Sequence, residues 1–285
     1  MATRSRSTVT ADDQLQIQLP MWGGDQRGLP NAFARSALFN VANARKGARE
    51  NLKRKPIASL KGITITYTGE ELRQDDEDAF LQILHIARLQ PLGTEVKFTA
   101  HSMLVELGWS LNKAGYARLV DCIDRLKASG LAVTVEAGKT PIRQNYTGSL
   151  IRSFRWREEG VDAPLRHWEV LLEPEIVALF GPNTYSRLDW KTRLKLPPLA
   201  KWLHSFYHSH ATPFSYKVET IHSLCGSEIA QLRQFRYKLK IALALLVERG
   251  FFYEAFIDAR TDHVVVKRLL QVDHQAVGAE ATVEE

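Results

Sequence analysis

Cysteine is nearly absent from this chain of 285 residues, with only Cys122 and Cys225 present. Two thiols so far apart in sequence give no disulfide framework, and this suits a reducing cytoplasm; both are expected to fill core space as small apolar side chains. Long apolar runs are also missing. No stretch of eighteen apolar residues occurs, which excludes a membrane-spanning helix. The polar start, Met1 to Asp13, lacks the apolar segment of a secretory signal. Nor does the sequence hold paired carboxylates or a nucleophile–base spacing that would demand catalysis. Gly138-Lys139-Thr140 looks like the end of a phosphate loop, but Val133 stands where that pattern needs glycine, so a wing turn without nucleotide hydrolysis is expected. His204, His208 and His210 include an i, i+4 pair, yet no nearby Cys, Asp or Glu completes a metal site. No enzyme activity, cofactor or metal is expected.

A hydrophobic fraction of 45% and a charged fraction of 25% describe a soluble globular protein long enough for two domains. The net charge of +6 is unevenly spread. Residues 1–60 carry +6 and residues 185–270 carry +7, while 61–184 carry −3 and the last fifteen residues −4. Positive charge at both ends of the folded part fits a polyanionic partner.

The order of elements occurs twice. In the first copy, Ile63 to Tyr67 alternates as a strand. A helix follows over Asp75 to Leu89 with Phe80, Ile83, Leu84 and Ala87 on one face. Val96-Lys97-Phe98 is extended, Thr99 can cap a helix ending at Gly108, and Asn112 to Ser129 is a longer helix with Leu119, Ile123 and Leu126 at core spacing. Gly130 stops that helix. Leu131 to Val135 should then pair with a strand around Ser153 to Trp156 as a hairpin. In the second copy, a helix over Pro198 to His210 is followed by Phe214-Ser215-Tyr216 and a short helix over Val218 to Leu224. A long helix, capped by Ser227, reaches Arg249, and a hairpin runs from Phe251 to Val266. Gly226 and Gly250 stand where Gly108 and Gly130 stood. The spacing, about 118 to 120 residues, marks a duplicated unit. Helix, turn, longer helix and hairpin is the winged-helix order. The fold expected is α+β: a disordered arm over 1–30, an N-terminal winged helix with a basic leader over 31–182, a C-terminal winged helix over 183–270, and a disordered tail over 271–285.

In such folds the second helix of the pair enters the major groove and the wing touches the backbone. In the second copy Leu232, Phe235, Leu239, Leu243 and Leu246 face inward, which leaves Arg233, Gln234, Tyr237 and Lys238 outward and Lys240 near the edge. Arg233 can bridge guanine and Gln234 adenine, whereas Arg236, Lys238 and Lys240 suit phosphates. No acid interrupts the stretch between Glu228 and Glu248. In the first copy Asp121 and Asp124 lie among Lys113, Arg118, Arg125 and Lys127, which predicts weaker DNA binding or a protein-contact role. Its wing carries Arg143, Arg152, Arg155 and Arg157, which could hold the backbone. The leader Arg45, Lys46, Arg49, Lys53, Arg54 and Lys55 reads as an arm on DNA or a solvated segment. Gln18-Leu19-Pro20-Met21-Trp22 places large apolar residues in a polar stretch, as a partner-docking motif does or as a segment packed on its own domain.

With these residues, most specifically from Leu196-Pro197-Pro198-Leu199-Ala200-Lys201-Trp202-Leu203 through Glu228 to Gly250, the chain resembles the tandem winged-helix replication initiators of plasmids, in particular those of broad-host-range IncP plasmids. The resemblance implies binding to iterons in a plasmid origin, opening of neighbouring AT-rich DNA, and recruitment of the host DnaA, DnaB helicase and sliding clamp. It also implies a monomer that initiates and a dimer that restrains copy number. Gln18, Leu19, Met21 and Trp22 are then similar to a clamp-binding motif, with Met21 and Trp22 in place of Leu and Phe. The alternative is a winged-helix transcriptional regulator on operator DNA. A third reading is a module whose winged helices bind proteins.

Overall fold

The computed structural model describes residues 18–43, 47–91, 95–136, 143–156 and 167–268, with the side chains at 143 and 144 outside that set. The first departure from expectation comes at once. Residues 18–30 are not a free arm: Leu19 and Trp22 are buried in the first core, and β1 (Gln26–Pro30) pairs antiparallel with the strand Tyr185–Asp189. A leader follows, with α1 (Asn31–Ala34), β2 (Phe39–Asn40) and β3 (Asn51–Ile57). It runs into β4 (Ile63–Glu70) and β5 (Leu72–Arg73).

The first winged helix is then laid down. Helix α2 (Gln74–Ala87) buries Phe80, Ile83, Leu84 and Ala87, as the spacing predicts. Strand β6 (Val96–Thr99) leads to α3 (Ala100–Leu107), whose first turn is capped by the Thr99 side chain accepting from the Ser102 N–H at 3.0 Å. Gly108 closes α3 with φ of +64°, a conformation that disfavours any Cβ. Helix α4 (Lys113–Lys127) is capped by Asn112 on Gly115 N–H and buries Leu119, Ile123 and Leu126.

What comes after α4 differs from the sequence reading. Strands β7 (Gly130–Glu136) and β8 (Arg143–Gly148) form a hairpin in a separate sheet of order β3-β4-β7-β8, and β9 (Ser153–Trp156) instead pairs with β10 (His167–Leu171), next to β6. In that sheet Leu131 and Val133 face the same way as Ile65, Tyr67 and Tyr146, and all five are buried. Residues 157–166, between β9 and β10, lie outside the described residues, as do Arg157 and Gly138-Lys139-Thr140.

A 3₁₀ turn (Pro174–Leu179), β11 (Tyr185–Asp189) and α5 (Trp190–Leu194) complete the first core, to which Leu188 and Trp190 belong. The second core begins only at Leu196. A boundary at 182/183 therefore falls about a dozen residues early, because β11 is the partner of β1 and not the opening of the second unit.

The second unit repeats the plan with little added: α6 (Pro198–His208), β12 (Tyr216–Lys217), α7 (Val218–Leu224), α8 (Leu232–Glu248), β13 (Glu254–Ile257) and β14 (His263–Lys267). Its sheet has the order β12-β14-β13, the same as β6-β10-β9. Two winged helices in tandem are thus present, the first carrying an inserted hairpin between its recognition-position helix and its wing. Helix α8 starts later than expected. The Ser227 hydroxyl accepts from Ile229 N–H and forms a turn, and no side chain caps the helix at Gln231.

The two units are joined by buried charge. The N-terminal end of α2 carries Asp75, Asp76, Glu77 and Asp78, all buried. Arg193 of α5, fully buried, donates to Asp78 and Glu77 at 2.8 Å, to the Ser205 hydroxyl of α6 at 2.7 Å and to Gln74 at 3.2 Å. Lys201 of α6 pairs with Asp78 from the second unit. Arg49, Arg118 and Arg125 close on Asp75 and Asp76 from the other side. Burial and the neighbouring Asp78 raise the Glu77 carboxyl above its ordinary value, while Arg193 opposes the shift. The leader adds contacts to the second unit: Trp202 Nε1 donates to Ser36 O at 3.0 Å, Val41 N–H to Cys225 O at 3.1 Å, and Arg35 Nε to the Ser209 hydroxyl at 2.9 Å.

Candidate nucleic-acid interface

Helix α8 buries Phe235, Leu239, Ala242, Leu243 and Leu246. At 100° per residue the centre of that face lies opposite Tyr237. Arg233, Gln234, Tyr237, Lys238 and Lys240 are all exposed, and Tyr237 is 68% exposed. The expected reading face is therefore assembled on one surface. The late start of the helix puts Arg233 and Gln234 in its first turn, whose uncapped N–H groups favour anions.

Arg236 is a different matter. It forms a two-pronged pair with Asp262, Nε and Nη2 donating to the carboxylate at 2.9 and 2.7 Å. That bond raises the guanidinium's pKa and holds the Asp262 carboxyl below the usual carboxylate range. Arg236 is thus engaged in fixing the wing to α8 and is not a free phosphate contact. Asp262 adopts φ of +55°, and the Asp258 carboxylate accepts from Arg260 and Thr261 N–H at 2.8 and 2.9 Å. This turn leaves Arg260 exposed at the wing tip between β13 and β14. The sequence reading passed over Arg260, although a lone Arg between two turn-forming aspartates was the available signal.

The corresponding helix of the first unit has lost its cations to the interior. Arg118 lies over the Trp109 ring at 3.7 Å and pairs with Asp75, and Arg125 pairs with Asp76 at 2.9 Å. The exposed charges left on α4 are Lys113, Asp121, Asp124 and Lys127, which cancel. Arg155 stands exposed on β9 but pairs with Glu95 at 3.2 Å; the Arg143 side chain lies outside the described residues. In the leader, Arg49 is buried on Asp76 at 2.6 Å, Arg45 and Lys46 lie outside the described residues, and Lys53, Arg54 and Lys55 line the exposed edge strand β3. That edge is positive and bulged between Leu52 and Lys55, as protected edges are.

The docking-motif reading is corrected. Trp22 stacks near Phe180 at 6.1 Å between ring centres and donates from Nε1 to His85 Nδ1 at 3.0 Å. Gln18 Nε2 donates to Arg88 O at 3.0 Å, and Leu19 is buried, while Met21 is 56% exposed. Burial, with Arg27 and Arg88 nearby, depresses His85 to about 4, so it stays neutral and can accept that bond. Leu19 and Trp22 serve the first core.

His204 and His208 sit against Phe251, with ring centres 4.3 and 6.0 Å away. Burial depresses both, His208 to about 4, which leaves the two packed rings neutral. Asp75, Asp76 and Cys122 converge as potential metal donors, but three arginines already supply the positive charge there.

The molecule is a tandem winged-helix protein whose helix α8 turns a basic, acid-free face outward. It belongs to the TrfA protein family, whose model matches residues 6–268. It is 33% identical over 239 residues to the plasmid replication initiator protein TrfA of Escherichia coli, covering 83% of this chain and 61% of that protein, so it spans about three fifths of its relative's length. Domains 2 and 3 of RctB share the fold, with a TM-score of 0.52 and 15% identity over 76% of this chain and 85% of theirs. Among the described residues no helix is long and apolar enough to cross a membrane.

Proposed function

We propose that this chain initiates plasmid replication by binding directly repeated sites in an origin, without enzymatic activity of its own. The observation that carries the reading is the acid-free face of α8, where Arg233, Gln234, Tyr237, Lys238 and Lys240 project together in a chain of the TrfA family. Arg233 and Gln234 select bases, Lys238 and Lys240 hold phosphates, and Arg260 extends the contact from the wing. Arg143 and Arg155 add backbone contacts from the first unit, whose neutral α4 leaves it the secondary DNA partner and the unit for self-association into dimers that restrain copy number. Protomers on neighbouring repeats strain the duplex, and opening begins at easily unstacked AT-rich steps, exposing single strands. The complex then recruits host proteins, DnaA and the DnaB helicase, in the cytoplasm. The sliding clamp is met through Gln18 to Trp22 only if that segment leaves the first core, so clamp docking there is set aside.

The test is binding to a tandem-repeat origin fragment against scrambled DNA of equal length, at two salt concentrations, for wild type and Arg233→Ala/Gln234→Ala. The variant should lose preference for the repeats and keep salt-sensitive residual binding. Equal binding of both fragments by the wild type would remove the reading. A preference for one palindromic site over same-direction repeats would favour a dimeric transcriptional regulator instead.

A further inference from the structure

The outward line of α8 is not wholly polar. Ile241, one turn beyond Tyr237, is 53% exposed although apolar, and Ala244, a further turn on, is exposed as well. Taking Tyr237 as the outermost position, Ile241 lies about 40° to one side and Ala244 about 20° to the other at 100° per residue. Both fall within the sector bounded by Gln234 and Arg233, and both point away from the core. Lys238 and Lys240 flank the same sector. A single exposed isoleucine is ordinary on a protein surface. One that lies in the same outward sector as two base-reading candidates, two turns further along the helix and beside two phosphate-seeking lysines, is placed where the edge of a base would lie. In the major groove the only apolar group a base presents is the thymine methyl, and apolar side chains recognise it by contact.

We infer that Ile241, with Ala244 beside it, is a specificity-determining residue that reads thymine methyl groups in the half of the site next to the bases read by Arg233 and Gln234. The inference rests on the proposed DNA-reading role of α8. A polar residue in its place would leave purine positions readable and remove the preference for thymine over cytosine or uracil at one or two positions.

The experiment starts from duplexes selected by wild-type protein from a random-sequence library, then replaces each thymine of the selected site singly by deoxyuridine, which removes only the methyl. Wild type should lose about three- to fivefold in affinity at one or two positions. Ile241→Ala should bind the thymine duplex more weakly by a similar factor and show no further loss on uracil at those positions, while Ile241→Val keeps part of the sensitivity. Ile241 is exposed, so folding is retained, and equal melting temperatures check this. Wild type that selects a clear sequence yet ignores every uracil substitution overturns the inference and leaves the DNA-reading role intact. Equal uracil sensitivity in wild type and Ile241→Ala also overturns it, by assigning the methyl contact to another residue. Failure to select any sequence would overturn the underlying reading, and the inference with it.

Discussion

Replacing Arg193 by methionine should destabilise the protein in a way that acid relieves. The substitution keeps the length and apolar stem but removes the cation from Glu77 and Asp78. Asp78 retains Lys201, while Glu77 loses its ion-pair partner and stays buried, with Gln74 still bonded to it. Breaking a buried pair by removing one partner costs about 3–5 kcal/mol. An independent bound comes from protonation. A carboxyl that ionises near 4.3 in an open chain needs roughly 3.7 kcal/mol to be protonated at pH 7, and the stranded Glu77 can escape its penalty at that cost. The two figures agree. In the variant the folded state holds a proton that the unfolded chain releases, so its stability relative to wild type rises as pH falls toward the unfolded value. The slope is about 1.4 kcal/mol per pH unit. Urea denaturation followed by tryptophan fluorescence at pH 7.5 and 6.0 should therefore show a penalty smaller by about 2 kcal/mol at the lower pH. Arg193→Met/Glu77→Gln should recover most of the loss at pH 7.5. A penalty under about 1 kcal/mol, or one unchanged by pH, would refute the account of a buried charge clasp.

Three further expectations concern other parts of the molecule. Trp22→Ala should cost about 3–5 kcal/mol and lower the melting temperature by several degrees, whereas a free docking motif would leave melting unchanged. His204 and His208 both have folded-state values depressed by burial, and the stability that His208 contributes is complete above about pH 6.5 and is lost as pH falls toward about 4. His208→Gln should flatten that acid limb in pH-dependent thermal melts, and an unchanged limb would place the titration elsewhere. Asp262→Asn releases Arg236 while tolerating the positive φ, and should raise non-specific DNA affinity and steepen the log–log salt dependence by about 1; fluorescence anisotropy across a salt series reads both.

The second winged helix was legible almost whole, because its elements are local and each ends on a strong signal: Gly226 and Gly250 both take positive φ, and Phe235, Leu239, Leu243 and Leu246 repeat at helical spacing. The first was legible up to α4 and then lost. Leu131 to Val135 shows that a strand exists, but alternation carries no information on its partner, and the true neighbours β4 and β8 lie on either side in sequence. Asp75 to Asp78 look like a solvated acidic first turn. Their burial depends on Arg49, Arg118, Arg125 and Arg193, drawn from three separate parts of the chain, the leader, α4 and α5, which no local pattern joins. The same long-range pairing hid the fate of Arg118 and Arg125, which α4 turns toward Asp75 and Asp76. Whether Trp22 docks a partner or packs on its own domain was open in the sequence, because the stretch around it is polar and its pocket is made by Phe180, Tyr185 and His85 far along the chain.

The leader between Arg35 and Val41 belongs by sequence to the first winged helix but bonds to the second, and Gly226 approaches it so closely that a Cβ would lie 2.7 Å from the Asn40 Cβ. The repeat is therefore visible but not divisible. A fragment starting at residue 183 would take β11 away from β1 and leave Trp202 without Ser36, Cys225 without Val41 and Lys201 without Asp78. Truncations drawn along the duplication will report on torn surfaces before they report on DNA, whereas point changes on the α8 face leave this interlacing untouched.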